Sequence, residues 1–388
     1  MAKLHDGGYL MTGGISDNNS DILLVKTDSL GVIQWQKAYG GQGSDAPTGL
    51  ALTKDGGSVI CGYTSSDSLP LNRALLLKLD LYGNIEWSKS YGRDYEWANA
   101  VIQTEDKGYL AVGATGTQSS SMHMWYFKTD SLGNMQWNRK ISGYGCCGYG
   151  GSLTRVIETT DKNYVLAGSE YCYYCSANAA YVTKIDLNDT VIWVSPFVGG
   201  LAVFPSDLIQ THDNGFMVVG TNNNSVGLLK IDSAGGYKWH KRYSWINNSG
   251  TSVAETKDRG YIMTSDGYPA KNIFLHKTDS SGNLLWSKAY GDTSKFTSTS
   301  QKIFINDDKG YTIGAGLTFT GGPSAFYLLR VDSSGQGYCS EFAVSPTVDA
   351  PLGANGGIFY RDTLGGFRSV TLTSYSLTLT DSTLCEHV

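Results

Sequence analysis

The chain has 388 residues, of which 17% are charged, and its formal net charge is −5. That acidic balance argues against nucleic acid and anionic membrane surfaces as partners, and no apolar run approaches the ~20 residues of a membrane span. With 48 glycines, and 25 tyrosines against 12 phenylalanines, the composition suits a turn-rich all-β module.

The chain opens Met1-Ala2-Lys3-Leu4-His5, without a signal-peptide pattern, and passes straight into the turn phrase Asp6-Gly7-Gly8-Tyr9. This phrase returns at Asp55-Gly56-Gly57, Asp106-Lys107-Gly108-Tyr109, Asp161-Lys162-Asn163-Tyr164, Asp213-Asn214-Gly215-Phe216, Asp258-Arg259-Gly260-Tyr261 and Asp308-Lys309-Gly310-Tyr311, at intervals of 49, 51, 55, 52, 45 and 50 residues. A second phrase follows each copy: Lys-x-Asp, then Gly three residues later and Trp seven residues later. It runs Lys26/Asp28/Gly31/Trp35, Lys78/Asp80/Gly83/Trp87, Lys128/Asp130/Gly133/Trp137, Lys184/Asp186/Asp189/Trp193, Lys230/Asp232/Gly235/Trp239 and Lys277/Asp279/Gly282/Trp286. The seventh copy, Arg330/Asp332/Gly335, has Cys339 where Trp belongs.

Within the third unit, four short β-forming runs are separated by Gly/Asp/Asn turns: Ala100–Thr104, Tyr109–Ala114, Met124–Lys128 and Met135–Lys140. One repeat therefore reads as a four-stranded antiparallel meander, strands a to d, and seven of them as an all-β, seven-bladed β-propeller. Small residues stand seven positions past each turn Asp, at Gly13, Gly62, Gly113, Gly168, Gly220, Ser265 and Ala315, as expected where blades converge on an axis. The Trp on strand d is expected near the rim, each ring burying ~150–250 Å².

The repeat assigns residues 1–339 to the propeller and 340–388 to a C-terminal β extension. Unit one lacks nearly all of strand a, so either the start is trimmed or a tail run, Val370–Thr373 or Tyr375–Thr380, completes blade 1 and closes the ring.

Seven cysteines accompany the repeat. Cys146 and Cys147 lie in the loop from blade 3 to blade 4, and Cys172 and Cys175 in the b–c loop of blade 4. Both loop classes leave the same face, so two disulfides are expected there rather than a zinc site, whose usual spacings are not matched. A Cys339–Cys385 bridge would pin the tail to the last blade, leaving Cys61 as a buried thiol.

The stretches Tyr39-Gly40-Gly41-Gln42-Gly43-Ser44-Asp45, Asp55-Gly56-Gly57 and Gly62-Tyr63-Thr64-Ser65-Ser66, with the DGGY, K-x-D-S-x-G-N-x-x-W and K-x-Y-G phrases, resemble the repeat of bacterial secreted seven-bladed propellers, in particular those of Bacteroidota. The resemblance covers about residues 1–340 and implies an extracellular or cell-surface location and cargo of type IX secretion. The Gly-x-x-x-Trp turn is also similar to quinoprotein dehydrogenase propellers, but those have eight blades and another Trp spacing, so no cofactor is expected.

Residues found in every blade are best explained by architecture, since seven equivalent Lys–Asp positions cannot all be one active site. No histidine pair has metal-ligand spacing, and no metal is expected. Loop acids Asp94, Glu96, Glu170, Asp207 and Asp266 are the residues a polysaccharide-active hydrolase or lyase would use, the alternative to a binding role. The d–a and b–c loops are instead rich in aromatics, and the expected ligand-binding patch is Tyr95, Trp97, Tyr144, Tyr149, Tyr173, Tyr174 and Trp245. Flat rings beside Asn, Ser and Gly suit sugars or protein surfaces. The expected function is a non-catalytic binding or scaffold propeller for a glycan or protein partner, with adhesion as one role and a larger secreted assembly as one setting.

Overall fold

The computed structural model describes residues 1–16, 20–67, 71–93, 95–117, 122–141, 148–172, 177–198, 203–222, 224–243, 248–267, 273–290, 296–319, 324–337, 342–346, 367–369, 373–376 and 379–383. Seven antiparallel sheets follow one another in chain order, each with strands a to d side by side. The chain is a seven-bladed β-propeller. Blade 3 shows the pattern: a Tyr95–Gln103, b Tyr109–Gly116, c His123–Thr129 and d Met135–Ile141. The tight a–b and c–d turns end on one face of the ring, and the b–c and d–a connections on the other.

The core is divided into layers between blades. One apolar cluster fills each of the seven junctions, such as Val59, Cys61, Leu76 and Tyr91 of blade 2 against Val101, Tyr109, Ala111 and Phe127 of blade 3. Among the described residues the smallest cluster is at the junction of blades 7 and 1, where Tyr9, Met11, Leu23, Val25, Phe326 and Leu328 are buried together.

Five blades, 1, 2, 4, 5 and 6, are latched to the next by an outer-strand Trp seated on a glycine. A methyl group on Gly83, Gly133, Gly235, Gly282 or Gly335 would come within 2.7–2.9 Å of the Trp of the preceding blade. These glycines have φ between +74° and +84°, so both the close approach and the backbone call for glycine. The Tyr four residues after the Trp donates its hydroxyl to the same turn: Tyr39 to Gly83 O (2.7 Å), Tyr91 to Gly133 O (2.8 Å), Tyr243 to Gly282 O (2.5 Å) and Tyr290 to Gly335 O (2.6 Å). Counting from Asp332, the corresponding positions of blade 7 hold Cys339, Glu341 and Ala343, so the sequence supplies neither the Trp nor the Tyr of this latch there.

The small strand b residues have a reason beyond convergence. Inner strands a of blades 2 to 7 carry a β-bulge, for example between Pro47 and Gly49 or Pro205 and Asp207. The bulge drives a carbonyl onto strand b: a methyl group on Gly62, Gly113 or Gly220 would lie 1.9, 1.9 or 1.7 Å from the oxygens of Ala46, Trp97 or Phe204.

The inner strand of blade 1 is Ala2–Lys3, paired with Tyr9 and Leu10. The tail lies elsewhere than the inner position suggested by the sequence. Phe367–Ser369 pairs with the outer strand of blade 2, Thr373–Ser376 with that of blade 1, and Leu379–Thr383 with Phe342–Pro346, which is strand d of blade 7. Strand d of blade 7 thus falls just beyond residue 339.

Candidate binding face

The a–b/c–d face is built from repeated contacts. In six blades a Lys or Arg of strand c meets the a–b turn Asp at 2.6–2.9 Å: Lys78–Asp55, Lys128–Asp106, Lys184–Asp161, Lys230–Asp213, Lys277–Asp258 and Arg330–Asp308. In blade 1 the distance between Lys26 and Asp6 is 3.8 Å. The second Asp folds its own turn, as when Asp130 Oδ1 accepts the N–H groups of Leu132 and Asn134. These carboxylates and ammonium groups are occupied by structure.

The opposite face varies from blade to blade. Inner strand a of blade 3 begins there, and Tyr95 and Trp97, two residues apart, are both half-buried while Glu96 and Ala98 between and beyond them are buried. Trp97 stands two residues before the bulge residue Asn99; on blade 5 the same position before Ser206 is taken by half-buried Phe204. Trp97 and Phe204 therefore hold equivalent positions on the inner strands of blades 3 and 5, towards this face. Exposed Gln301, the bulge residue of blade 7, lines an opening of about 210 Å³ with Gly13, Gly14, Thr318 and Ser324 on this same face.

Bulge side chains also hold the axial wall together. Thr48 Oγ1 donates to Ala98 O, Asn99 Nδ2 to Leu153 O (2.7 Å) and Thr154 Oγ1 to Pro205 O (2.8 Å), each reaching the next blade. At the axis, buried Asp207 of blade 5 meets Lys302 of blade 7 at 2.7 Å and Arg155 of blade 4 at 3.6 Å, and accepts from Ser252 Oγ of blade 6 at 2.7 Å. Burial raises the Asp207 pKa, but Lys302 and then Arg155 more than offset it, so the carboxyl lies below the usual carboxylate range. Asp207 is thus an axial tie on an inner strand rather than a free loop acid.

The other described acids of this face are also held within their own surroundings. Glu96 is buried and accepts from the Arg93 N–H (3.2 Å) and Thr115 Oγ1 (3.1 Å). Asp67 forms a buried pair with Arg73 at 3.0 Å. Asp266 accepts from Ser300 N (2.7 Å) and Oγ (2.6 Å), and burial pushes its carboxyl up to about 6. Asp45 is fully buried, accepts from Ser66 Oγ at 2.6 Å, and is likewise pushed up to about 6 by burial. Glu170 is buried at the end of strand b of blade 4. Among the described residues, no group of three His, Cys, Asp or Glu gathers as a metal site.

Of the aromatic patch, the structure places Tyr95 and Trp97 side by side on blade 3. Tyr149 belongs to strand Gly148–Glu158, but its side chain, and Tyr144, Tyr173, Tyr174 and Trp245 entirely, lie outside the described residues. So do Cys146, Cys147, Cys175, Cys339 and Cys385, and the side chain of Cys172. Gly148, one residue after Cys147, is the backbone partner of Cys172. Cys61 is a buried free thiol, pushed up by burial to about 12. Sequence reading missed the Asp67–Arg73 pair, the Arg155–Asp207–Lys302 tie and buried Asp45. The available signal for the tie was that Arg155, Asp207 and Lys302 hold the same strand a position in blades 4, 5 and 7, where blades 2, 3 and 6 have Gly49, Ala100 and Ser252.

No protein-family profile matches the chain, and no curated protein matches it in sequence. Solved structures do. It is similar to a PL25 ulvan lyase solved with -[GlcA(1-4)Rha3S]-, at 9% identity over 85% of this chain and 92% of the lyase, with a TM-score of 0.51. A puromycin hydrolase matches at 10% identity and TM-score 0.55, over 88% of this chain but 57% of the hydrolase. A Lactobacillus plantarum protein matches at 12% identity and TM-score 0.53, over 85% and 94%. At these identities the likeness is one of fold alone.

Proposed function

We propose that this is a non-catalytic binding propeller that holds a glycan, or a protein partner, on its b–c/d–a face. The observation that carries the reading is the half-buried Tyr95–Trp97 pair on blade 3, with Phe204 at the equivalent position on blade 5. Aromatic side chains give a sugar ring contact area at little entropic cost, while neighbouring amide and hydroxyl groups supply direction. The resemblance to secreted bacterial propellers supports an extracellular or cell-surface setting, with type IX secretion as the export route and adhesion within a larger assembly as the role. The cysteines flanking blade 4 fit that setting as two disulfides, with Cys339–Cys385 as a third.

The test is binding of the intact chain to a glycan panel, followed by titration of any hit with Trp97→Ala. Saturable binding that weakens at least about tenfold in the variant supports the reading; equal affinity overturns it. A polysaccharide-active enzyme is the second reading, favoured by half-buried Asp266, which accepts from Ser300 and whose carboxyl burial pushes up to about 6, the direction a general acid requires. New reducing ends or unsaturated products, abolished by Asp266→Asn, would establish it instead.

A further inference from the structure

At the junction of blades 1 and 2 the outer-strand Trp is present but its aromatic partner is not, which leaves a shaped gap. Besides its glycine turn, the outer-strand Trp meets the first residue of strand b in the next blade. The ring centroids are 5.4 Å apart for Trp87–Tyr109, 5.9 Å for Trp193–Phe216, 6.2 Å for Trp239–Tyr261 and 6.5 Å for Trp286–Tyr311. At the junction of blades 1 and 2 the ring is missing, because Ser58 stands at that position. A half-open cavity of about 230 Å³ lies there, lined by Trp35, Ser58, Leu4, Leu10, Lys26 and Asp6 among others. A cavity of roughly 150 Å³ is enough to admit benzene.

A second departure falls on the same cavity. In blades 2 to 6 a Thr two residues before the turn Asp bonds its carboxylate, as Thr53 does Asp55 and Thr211 does Asp213. Blade 1 has Leu4 there. Asp6 keeps its bond from the Gly8 N–H, but Lys26 stands off at 3.8 Å and is 22% exposed, against 2% for Lys78. The polar end of the gap thus has the longest of the seven Lys/Arg–Asp distances. At the intact junctions this end faces the ring hydroxyl: the Asp55 charge acts on Tyr109, Asp213 on Tyr261 and Asp258 on Tyr311.

We propose that the gap between Trp35 and Ser58 is a binding site for a phenol ring, which packs against Trp35 with its hydroxyl directed to Asp6 and Lys26. The other six strand b positions hold five Tyr and one Phe, so the molecule itself shows what the site is shaped for. The site lies on the face opposite Trp97 and is independent of the glycan reading. The ring can arrive as a free phenol or as a tyrosine side chain of another protein.

The experiment follows the Trp35 indole and Gly57 amide NMR signals of the intact chain during titration with p-cresol, with toluene, and with the peptide Gly-Tyr-Gly. Saturable shifts with p-cresol, at least about tenfold weaker with toluene and in Ser58→Tyr, are expected. Ser58→Tyr fills the gap from within and should also raise the melting temperature, so its loss of binding is not a loss of fold. Binding of p-cresol alone assigns a small-molecule source, and binding of the peptide as well, or of the peptide alone, a protein tyrosine. No saturable shift with either probe, equal affinity for toluene, or unchanged binding in Ser58→Tyr overturns the proposal.

Discussion

Arg139 of blade 3 reaches across its junction to Asp189, which stands in blade 4 where five of the other c–d turns that receive a Trp have glycine, with Nε 2.5 Å from Oδ2. Asp189 has φ +67° and also accepts the Tyr126 hydroxyl at 2.8 Å. The carboxylate thus replaces the usual glycine latch with an ion pair, at the cost of left-handed backbone strain.

Two effects should therefore oppose each other at this site. Asp189→Gly relieves about 1 kcal/mol of strain while losing the ion pair, and Asp189→Ala loses the pair and keeps the strain. We expect urea unfolding to rank the proteins wild type, then Asp189→Gly, then Asp189→Ala, with about 1 kcal/mol between the two variants. A double-mutant cycle with Arg139→Ala should return a coupling of about 1 kcal/mol, since Arg139 is half-exposed.

Two glycine positions separate strain from packing. Gly56 has φ +85° and nothing nearer than 3.9 Å to an added methyl, whereas at Gly282 (φ +76°) that methyl meets Trp239 at 2.8 Å. Gly56→Ala should cost about 1 kcal/mol and Gly282→Ala about 2–4 kcal/mol. A loss of near-ultraviolet Trp signal is expected in the second variant alone.

Acid should weaken the protein in two windows. His276 is fully buried between Ser265 and Ser287, each 2.8 Å from a ring nitrogen, and burial lowers its pKa to about 4. The unfolded imidazole takes a proton near pH 6.5 and the folded one does not, so about 3 kcal/mol of stability should disappear as the pH falls from 6.5 to 4. The Asp55, Asp161 and Asp213 carboxyls are lowered to about 2, as bonds from Thr53, Lys184 and Thr211 and the paired lysines outweigh burial. Their stabilisation is present above pH 4 and should be lost as the pH falls through 2. Urea unfolding measured against pH should show both windows, and His276→Leu should remove only the upper one.

Asp45 has the opposite sign. Its folded pKa lies above the unfolded value, so its neutral form favours the fold below pH 4, and that contribution is lost as the pH rises through 6. Asp45→Asn keeps an acceptor for Ser66 Oγ and the Gly41 N–H. It should change little at pH 4 and add on the order of 2 kcal/mol at pH 7.5, read as a rise in melting temperature that grows with pH.

The turns made the blades legible in the sequence, because Asp, Gly and Trp at fixed spacing have local causes: positive φ, carboxylate-closed loops and a Trp seated on a glycine. Trp97 was legible as an aromatic on the variable face. The equivalence of Trp97 and Phe204 was not, since it depends on the bulges at Asn99 and Ser206, which leave no mark of composition. Asp207 gave the appearance of a loop acid because Arg155 and Lys302 approach it only once blades 4, 5 and 7 surround a common axis. The tail's position was left open between two readings for a simpler reason. A four-residue strand such as Thr373–Ser376 carries too little pattern to tell an inner edge from an outer one.

The three tail strands visit blades 2, 1 and 7 in that order, opposite to the direction in which the chain built the ring. Mechanically this resembles a belt wound against its own wheel. Tension on the chain beyond Thr383 would peel Leu379–Thr383 from blade 7 first, then Thr373–Ser376 from blade 1, and last Phe367–Ser369 from blade 2. Short edge contacts would thus be stripped one after another before load reached any strand of the wheel itself. The junction with the smallest buried cluster among the described residues, between blades 7 and 1, would be the first from which the belt is lifted.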